Sequence, residues 1–260
     1  MAEMVRVELW PWAITHVINC YPVCFIAEVY NPSLYRIFLS KGKFDYLYDK
    51  VGLYDTLKAV IRKETSACSI TKCWQAVEGF QDKMLAFMEN HDEQRIASNF
   101  FAGNARSGIP AMMDLAFMHV NPVMIYFGQE LGESGMDEEG FSGVDGRTSI
   151  FDYWSIKSVR NWVNNGRFDE TGLTEKQCEI RNIYKKILRI ARTEKAITSG
   201  LFYDLSYANT SNKCFNTGRQ YAFMRKHDNE ALLVLANFDK SEQTVQVRIP
   251  EEAFAYLEIN

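Results

Sequence analysis

Apolar positions along the chain follow two patterns. Three short runs are continuously apolar and end in acidic or amide residues: "VCFIAEVYNP" (Val23 to Pro32), "KMLAFMENHD" (Lys83 to Asp92) and "PVMIYFGQELGE" (Pro122 to Glu133). A weaker fourth run is "KFDYLYDKV", Lys43 to Val51. Continuous rather than alternating apolar character is what a parallel strand covered on both faces requires. Between these runs apolar residues recur at helical spacing. "AEMVRVELWPWAITHVIN" has this period, with a break or kink expected at Pro11. "GLYDTLKAVIRKE" places Leu53, Leu57, Val60 and Ile61 on one face. "SGIPAMMDLAFMHVNP" starts after Ser107-Gly108 and stops before Pro122. "TEKQCEIRNIYKKILRIARTEKAI" opens with a Thr174 cap and Gln177 at the capping-box position, and carries a stripe through Ile180, Ile183, Ile187, Leu188 and Ile190. Alternating strands and helices predict an α/β parallel sheet over residues 1–198. From 199 to 260 the pattern changes: "RQYAFMRKH", "EALLVLANF" and "TVQVRIP", separated by turn clusters, predict a small antiparallel all-β domain.

Composition narrows the class. The 260 residues are 47% hydrophobic and 24% charged, with a net charge of −4, and no Lys/Arg run offers a nucleic-acid footprint. No window approaches the roughly 20 apolar residues of a membrane span. The N-terminal segment is acidic and amphipathic rather than a signal peptide. Six cysteines, Cys20, Cys24, Cys68, Cys73, Cys178 and Cys214, form neither a CxxC pair nor a zinc-site spacing and read as buried free thiols. Met112, Met113, Met118 and Met124 read as core filler, and His16, His119 and His227 as structural or exposed. The Gly-rich, aromatic stretch from Glu133 to Glu170 is a long connection of the kind that carries function, and its Phe141, Phe151, Tyr153 and Trp154 argue for order.

Parallel strands point their C-terminal ends one way, so residues there converge on one mouth. Glu28, Asp92 and Glu130 each sit at or just past such an end and are expected to be neighbours in space. Converging carboxylates suit glycoside hydrolysis, and they also suit a divalent cation.

"FIAEVYNP", "FMENHDEQR" and "PVMIYFGQELGE", in that order and spaced by βα units, resemble the back half of an α-amylase-type glycoside hydrolase of the family 13 clan. "EGFSGVDGRTSIFDYW" and the final β segment extend the resemblance over nearly the whole chain. It implies the C-terminal half of a (β/α)8 TIM barrel, strands five to eight, followed by an antiparallel β-domain. It implies an α-glucan or oligosaccharide substrate and a retaining mechanism. Glu28 would be the general acid/base and Asp92 the stabiliser of the transition state. His91 would bind substrate, and Asn90 and Arg95 belong to the same substrate-binding turn, which they hold in shape. No metal ligand and no cofactor are implied within these residues; a calcium ion would belong to the full-length protein. A transglycosylase or isomerase of the same clan, or a non-catalytic carbohydrate-binding half barrel, remains open.

The family's nucleophile is an aspartate in a Gly-Phe-Arg-x-Asp motif ending strand four, and no such motif occurs in the 260 residues. Glu3 and Glu8 lie on a helix and are poor substitutes. The expectation is therefore an inactive chain whose open sheet edges lead it to self-associate or to pair with a separate N-terminal half barrel. Neither nucleic acid nor membrane is expected as a partner.

Overall fold

Four strands run parallel in the order β1 (Ile26–Ala27), β2 (Tyr46–Tyr48), β3 (Met84–Phe87), β4 (Val123–Met124). The pairing registers are Ile26 with Tyr46, Leu47 with Met84 and Ala86 with Val123. The computed structural model describes residues 2–137, 144–152 and 155–259, so the expected contributions of Phe141, Tyr153 and Trp154 lie outside the described residues. All four β3 residues are buried, which is why its sequence run is apolar without alternation. Among the described residues β1 and β4 are the two edges of this half barrel.

Helices connect and cover the strands: α1 (Leu9–Ile18), α2 (Tyr35–Ser40), α3 (Asp55–Ile61), α4 (Ile70–Ala76), α5 (Ile109–Phe117), α6 (Lys157–Val163), α7 (Glu175–Thr193) and α8 (Lys195–Thr198). Pro11 causes no kink. It occupies the first turn of α1, where backbone N–H groups have no intrahelical acceptor and the missing donor costs nothing. The capping box of α7 is formed: the Gln177 N–H donates to the Thr174 hydroxyl, and the Thr174 N–H donates to the Gln177 side chain at 2.9 Å. Its buried stripe runs through Ile180, Tyr184 and Ile187, while Leu188 and Ile190 turn outward. No helix among the described residues is long and apolar enough to cross a membrane.

The second sheet is antiparallel: β5 (Leu201–Asp204), β6 (Gln220–His227) and β7 (Glu230–Asn237). "TVQVRIP" is not one of its strands. That segment bonds instead to a turn: the Asn209 amide donates to the Arg248 carbonyl, the Asn212 amide to the Gln246 carbonyl, and the Arg248 N–H to Asn209. These side chains replace a ladder, while Val245, Val247 and Ile249 still face the core beneath α9 (Glu251–Tyr256). The residues of β6 alternate faces. Tyr221 and Phe223 join the core formed by α3, α5 and α7, and Ala222 and Met224 join the small core under α9.

Arg225 lies on the same face as Tyr221 and Phe223 and is fully buried. Its guanidinium donates to the carbonyls of Met118, Ala196 and Ile197 at 2.6–2.9 Å, so one cation satisfies the helix-end carbonyls of α5 and α8. Burial lowers its pKa to about 10. The cysteines are all free, but Cys20, Cys24 and Cys214 are exposed rather than buried, because the segments carrying them have no layer above them.

Asp114 on α5 is wholly buried and neither carboxyl oxygen has a hydrogen-bond partner. Burial, reinforced by Asp204, raises its pKa well above the ordinary carboxylate range. The folded state therefore keeps a proton that the unfolded chain releases above about pH 4. Stability falls as pH rises from there towards the raised folded value. Asp114→Asn removes this titration. Thermal melts should show the melting temperature of the variant, relative to the parent, increasing from pH 4 to pH 8; a difference independent of pH contradicts the assignment.

Candidate active site

Glu28 follows β1 directly, and the Asn90-His91-Asp92 turn begins three residues beyond the end of β3. Because the strands are parallel, both segments open on the same side of the sheet. His91 Nε2 lies 3.8 Å from a Glu28 carboxylate oxygen and 3.5 Å from one of Asp92. One donor atom from each of the three residues falls within 4.8 Å of the others. Tyr30 and Tyr48 line the same region. Burial raises both phenol pKa values, and the nearby Glu28 and Asp92 carboxylates raise them further. Glu130 does not join the cluster. It sits in a single 3-10 turn after β4, where the neighbouring Gln129 turns into the core and donates to the Tyr184 hydroxyl at 3.0 Å.

The loop carrying Glu28 is tied down by Glu3, whose carboxylate accepts the N–H groups of Tyr30 and Asn31 at 3.2 and 3.0 Å, and by the Ala2 N–H, which donates to the Glu28 carbonyl at 2.8 Å. Glu3 thus has a structural role that its place in the sequence did not reveal.

The opposite turn is held from inside. Asn90 is buried, and its side-chain oxygen accepts the N–H groups of Asp92 and Glu93, both at 2.9 Å. Arg95 is 0% exposed and is spent within the protein. It donates to Glu89 at 2.6 Å, to Thr148 at 2.8 Å and to the Phe127 carbonyl at 2.8 Å, and its guanidinium lies over the Tyr126 ring. Glu89 also accepts the Ile96 N–H at 2.7 Å. Asn90 and Arg95 therefore shape the turn and do not line the cleft. The Gly-rich stretch packs on this turn through Gly146, whose carbonyl accepts the Arg95 N–H at 2.6 Å. Gly146 has φ +82°, and a Cβ there would lie 2.7 Å from the Ser98 hydroxyl, so a larger residue is excluded.

Glu93 anchors the far side. It accepts from the Tyr54 hydroxyl (2.7 Å) and Lys58 (3.0 Å), and Lys50 lies 3.1 Å away. Burial would raise its pKa, but the Tyr54 hydroxyl and the two ammonium groups outweigh that and hold it low. Glu89, Glu93 and Tyr48 were not singled out in the sequence. Their partners lie on other elements, and only Glu89, beside the Asn-His-Asp triplet, had a local signal.

Chemically the cluster offers two carboxylates and an imidazole together at one partly exposed site. Such donors can share protons and accept sugar hydroxyls, and a divalent cation could also bridge them. Removing one partner of a buried pair leaves the other charge uncompensated. Arg95→Met is accordingly expected to cost about 3–5 kcal/mol in urea unfolding. Glu89→Leu combined with Arg95→Met should cost less than the sum of the two single changes; strict additivity would show that the pair does not hold the turn.

Residues 221–259 match the family model "Alpha-amylase SusG C-terminal domain". Three solved structures share the fold over most of this chain. A noncanonic maltogenic α-amylase, AmyB from Thermotoga neapolitana, is 17% identical, with TM-score 0.59 and coverage of 92% of this chain and 47% of that one. A cyclomaltodextrinase is 21% identical, with TM-score 0.65 and coverage of 92% and 36%. An isomaltulose synthase mutant from Erwinia rhapontici NX5, in complex with D-glucose, is 17% identical, with TM-score 0.56 and coverage of 90% and 50%. This chain thus spans half or less of the length of these proteins. No curated protein sequence matches it. The architecture is that of the C-terminal half of an α-amylase-type barrel, followed by a β-domain whose residues 221–259 match that of an α-amylase.

Proposed function

We propose that Glu28, His91 and Asp92 form the acid/base and charge-stabilising wall of a site that cleaves α-glucans. The observation that carries this reading is the convergence of the three side chains within 4.8 Å, from two parallel strand ends far apart in sequence. Glu28 protonates the glycosidic oxygen as the bond to the anomeric carbon breaks, then takes a proton from the incoming water. Asp92, more than half exposed to the cleft, accepts hydroxyls of the same sugar and stabilises positive charge growing on the ring. His91 donates to that sugar from between the two carboxylates. The rigid supports on both sides, Glu3 under Glu28 and the Asn90–Arg95 turn under Asp92, keep the groups at a fixed separation, as transition-state stabilisation requires.

A retaining reaction also needs a nucleophile on the opposite face of the anomeric carbon. The family resemblance assigns it to a strand outside these 260 residues. The names of the maltogenic amylase and the cyclomaltodextrinase support maltose-type α-glucans as the substrate class.

Residues 1–260 alone are expected to bind maltoheptaose without hydrolysing it. Starch hydrolysis at an ordinary enzymatic rate by the purified, monomeric 260-residue chain contradicts this division of labour. In a polypeptide that contains these residues and cleaves maltoheptaose, Glu28→Gln should lower kcat by about 10²–10⁴-fold. Unchanged turnover would remove Glu28 from the role of acid/base.

A further inference from the structure

At the other end of the parallel sheet is a cavity of about 680 Å³, within the range of roughly 300–1,000 Å³ typical of small-molecule pockets. Its walls come from α4 and the turn before β3 on one side, and from β5, the turn after it and the end of α9 on the other. Gln81 and Asp82 precede β3, whereas His91 and Asp92 follow it. Four strand residues, roughly 13 Å of backbone, separate the two places. A ligand held here does not touch Glu28, His91 or Asp92.

The lining is aromatic. The Trp74 and Phe202 rings meet edge to face, with centroids 5.3 Å apart and planes at 74°. Tyr203 packs against Tyr256 (5.6 Å) and Tyr207 (6.3 Å), and the Tyr203 and Tyr207 hydroxyls are hydrogen-bonded at 2.6 Å. Tyr207 and Tyr256 are 57% and 54% exposed, so their faces are available at the rim. The charges in the floor are already used. Asp204 accepts from Thr71, Trp74 and Tyr221 and from the Ser206 N–H, and Arg225 donates to three carbonyls. Buried in the floor, His119 Nε2 has no hydrogen-bond partner among the described residues. Burial, with Arg225 nearby, lowers the His119 pKa to about 3, so the ring is neutral. Glu78 and Asp82 stand at the rim beside the Gln75 and Gln81 side chains.

Such a lining fits a neutral, hydroxyl-rich ligand. The C–H faces of sugar rings lie on aromatic faces, rim carboxylates and amides accept and donate to hydroxyls, and a neutral imidazole meets one more. An organic cation would also suit aromatic rings, but the floor offers it no free negative charge. We propose that this cavity is a second, non-catalytic binding site for an α-glucan chain, held by Trp74, Tyr203, Tyr207 and Tyr256. The choice of α-glucan rests on the function proposed above; the sugar-binding character rests on the cavity.

Calorimetric titration of the 260-residue chain with maltoheptaose tests this. The chain carrying Glu28→Gln and Asp92→Asn should still bind. Adding Tyr207→Ala and Tyr256→Ala to that background should weaken binding by about tenfold or more, with an unchanged melting temperature. Tyr207→Phe, which keeps the ring, should stay within about threefold of its background. Affinity within about twofold after both tyrosines are removed overturns the proposal, as does binding of tetramethylammonium in place of maltoheptaose. Loss of all binding on Glu28→Gln and Asp92→Asn alone would also overturn it while supporting the catalytic cleft. Retained rim binding together with turnover unaffected by Glu28→Gln would refute the cleft and leave this site standing.

Discussion

The buried pair of Glu89 and Arg95 is the constraint on which the candidate site depends. A chain leaving the end of a fully buried strand must reverse while its backbone groups remain satisfied. Arg95 does this from inside the protein, bonded at once to Glu89, to Thr148 and to the Phe127 carbonyl. It thereby joins the end of β3, the segment after β4 and the Gly-rich stretch. Burial pushes the Glu89 pKa up and the Arg95 charge works against that, so the two ionised groups depend on each other. With the base of the turn fixed, Asp92 and His91 have little freedom except to face the cleft.

The cleft itself follows from strand direction. Four parallel strands bring Glu28, Tyr48 and Asp92 to one end of the sheet, although they lie far apart in sequence. The opposite ends of the same strands border the aromatic cavity between the half barrel and the β-domain. One sheet thus serves two surfaces of different chemistry. One is carboxylate-rich and suited to a growing positive charge. The other is aromatic, with its charges internally compensated, and suited to holding a neutral chain. Arg225 ties β6 to the ends of α5 and α8 in the floor of the second surface.

Much of this was legible in the sequence wherever a local rule applied. Continuous apolar runs marked the strands, although only β3 is buried throughout, and the edge strands β1 and β4 are partly exposed and pair over only two residues each. The Thr174 and Gln177 capping box was readable because its partners are three positions apart. The short helices α2, α4 and α6 were not, since six or seven residues give little period to detect; the equally short α3 was read because the helical turn Lys50–Tyr54 before it extends its stripe to Leu53. "TVQVRIP" has the alternation of a strand, and its valines do face a core, but pairing depends on a neighbour the pattern cannot name; asparagine side chains took that place. The site divided in the same way. Glu28, His91 and Asp92 stood in recognisable segments. Glu130 shared their strand-end pattern, yet the turn after β4 directs Gln129 inward and leaves Glu130 out. Glu93's bonds to Tyr54 and Lys58 span 39 and 35 positions, and no spacing rule reaches that far.

The central claim is that Glu28 and Asp92 act on one ligand in one pocket. A double-mutant cycle with Glu28→Gln and Asp92→Asn, read as the affinity of the 260-residue chain for a protonated glucose-like iminosugar, tests it most directly. Two carboxylates around a single cation should give a coupling of about 0.5–3 kcal/mol between the substitutions. Effects that add without coupling, or an affinity indifferent to both changes, would mean that the two carboxylates do not share a site.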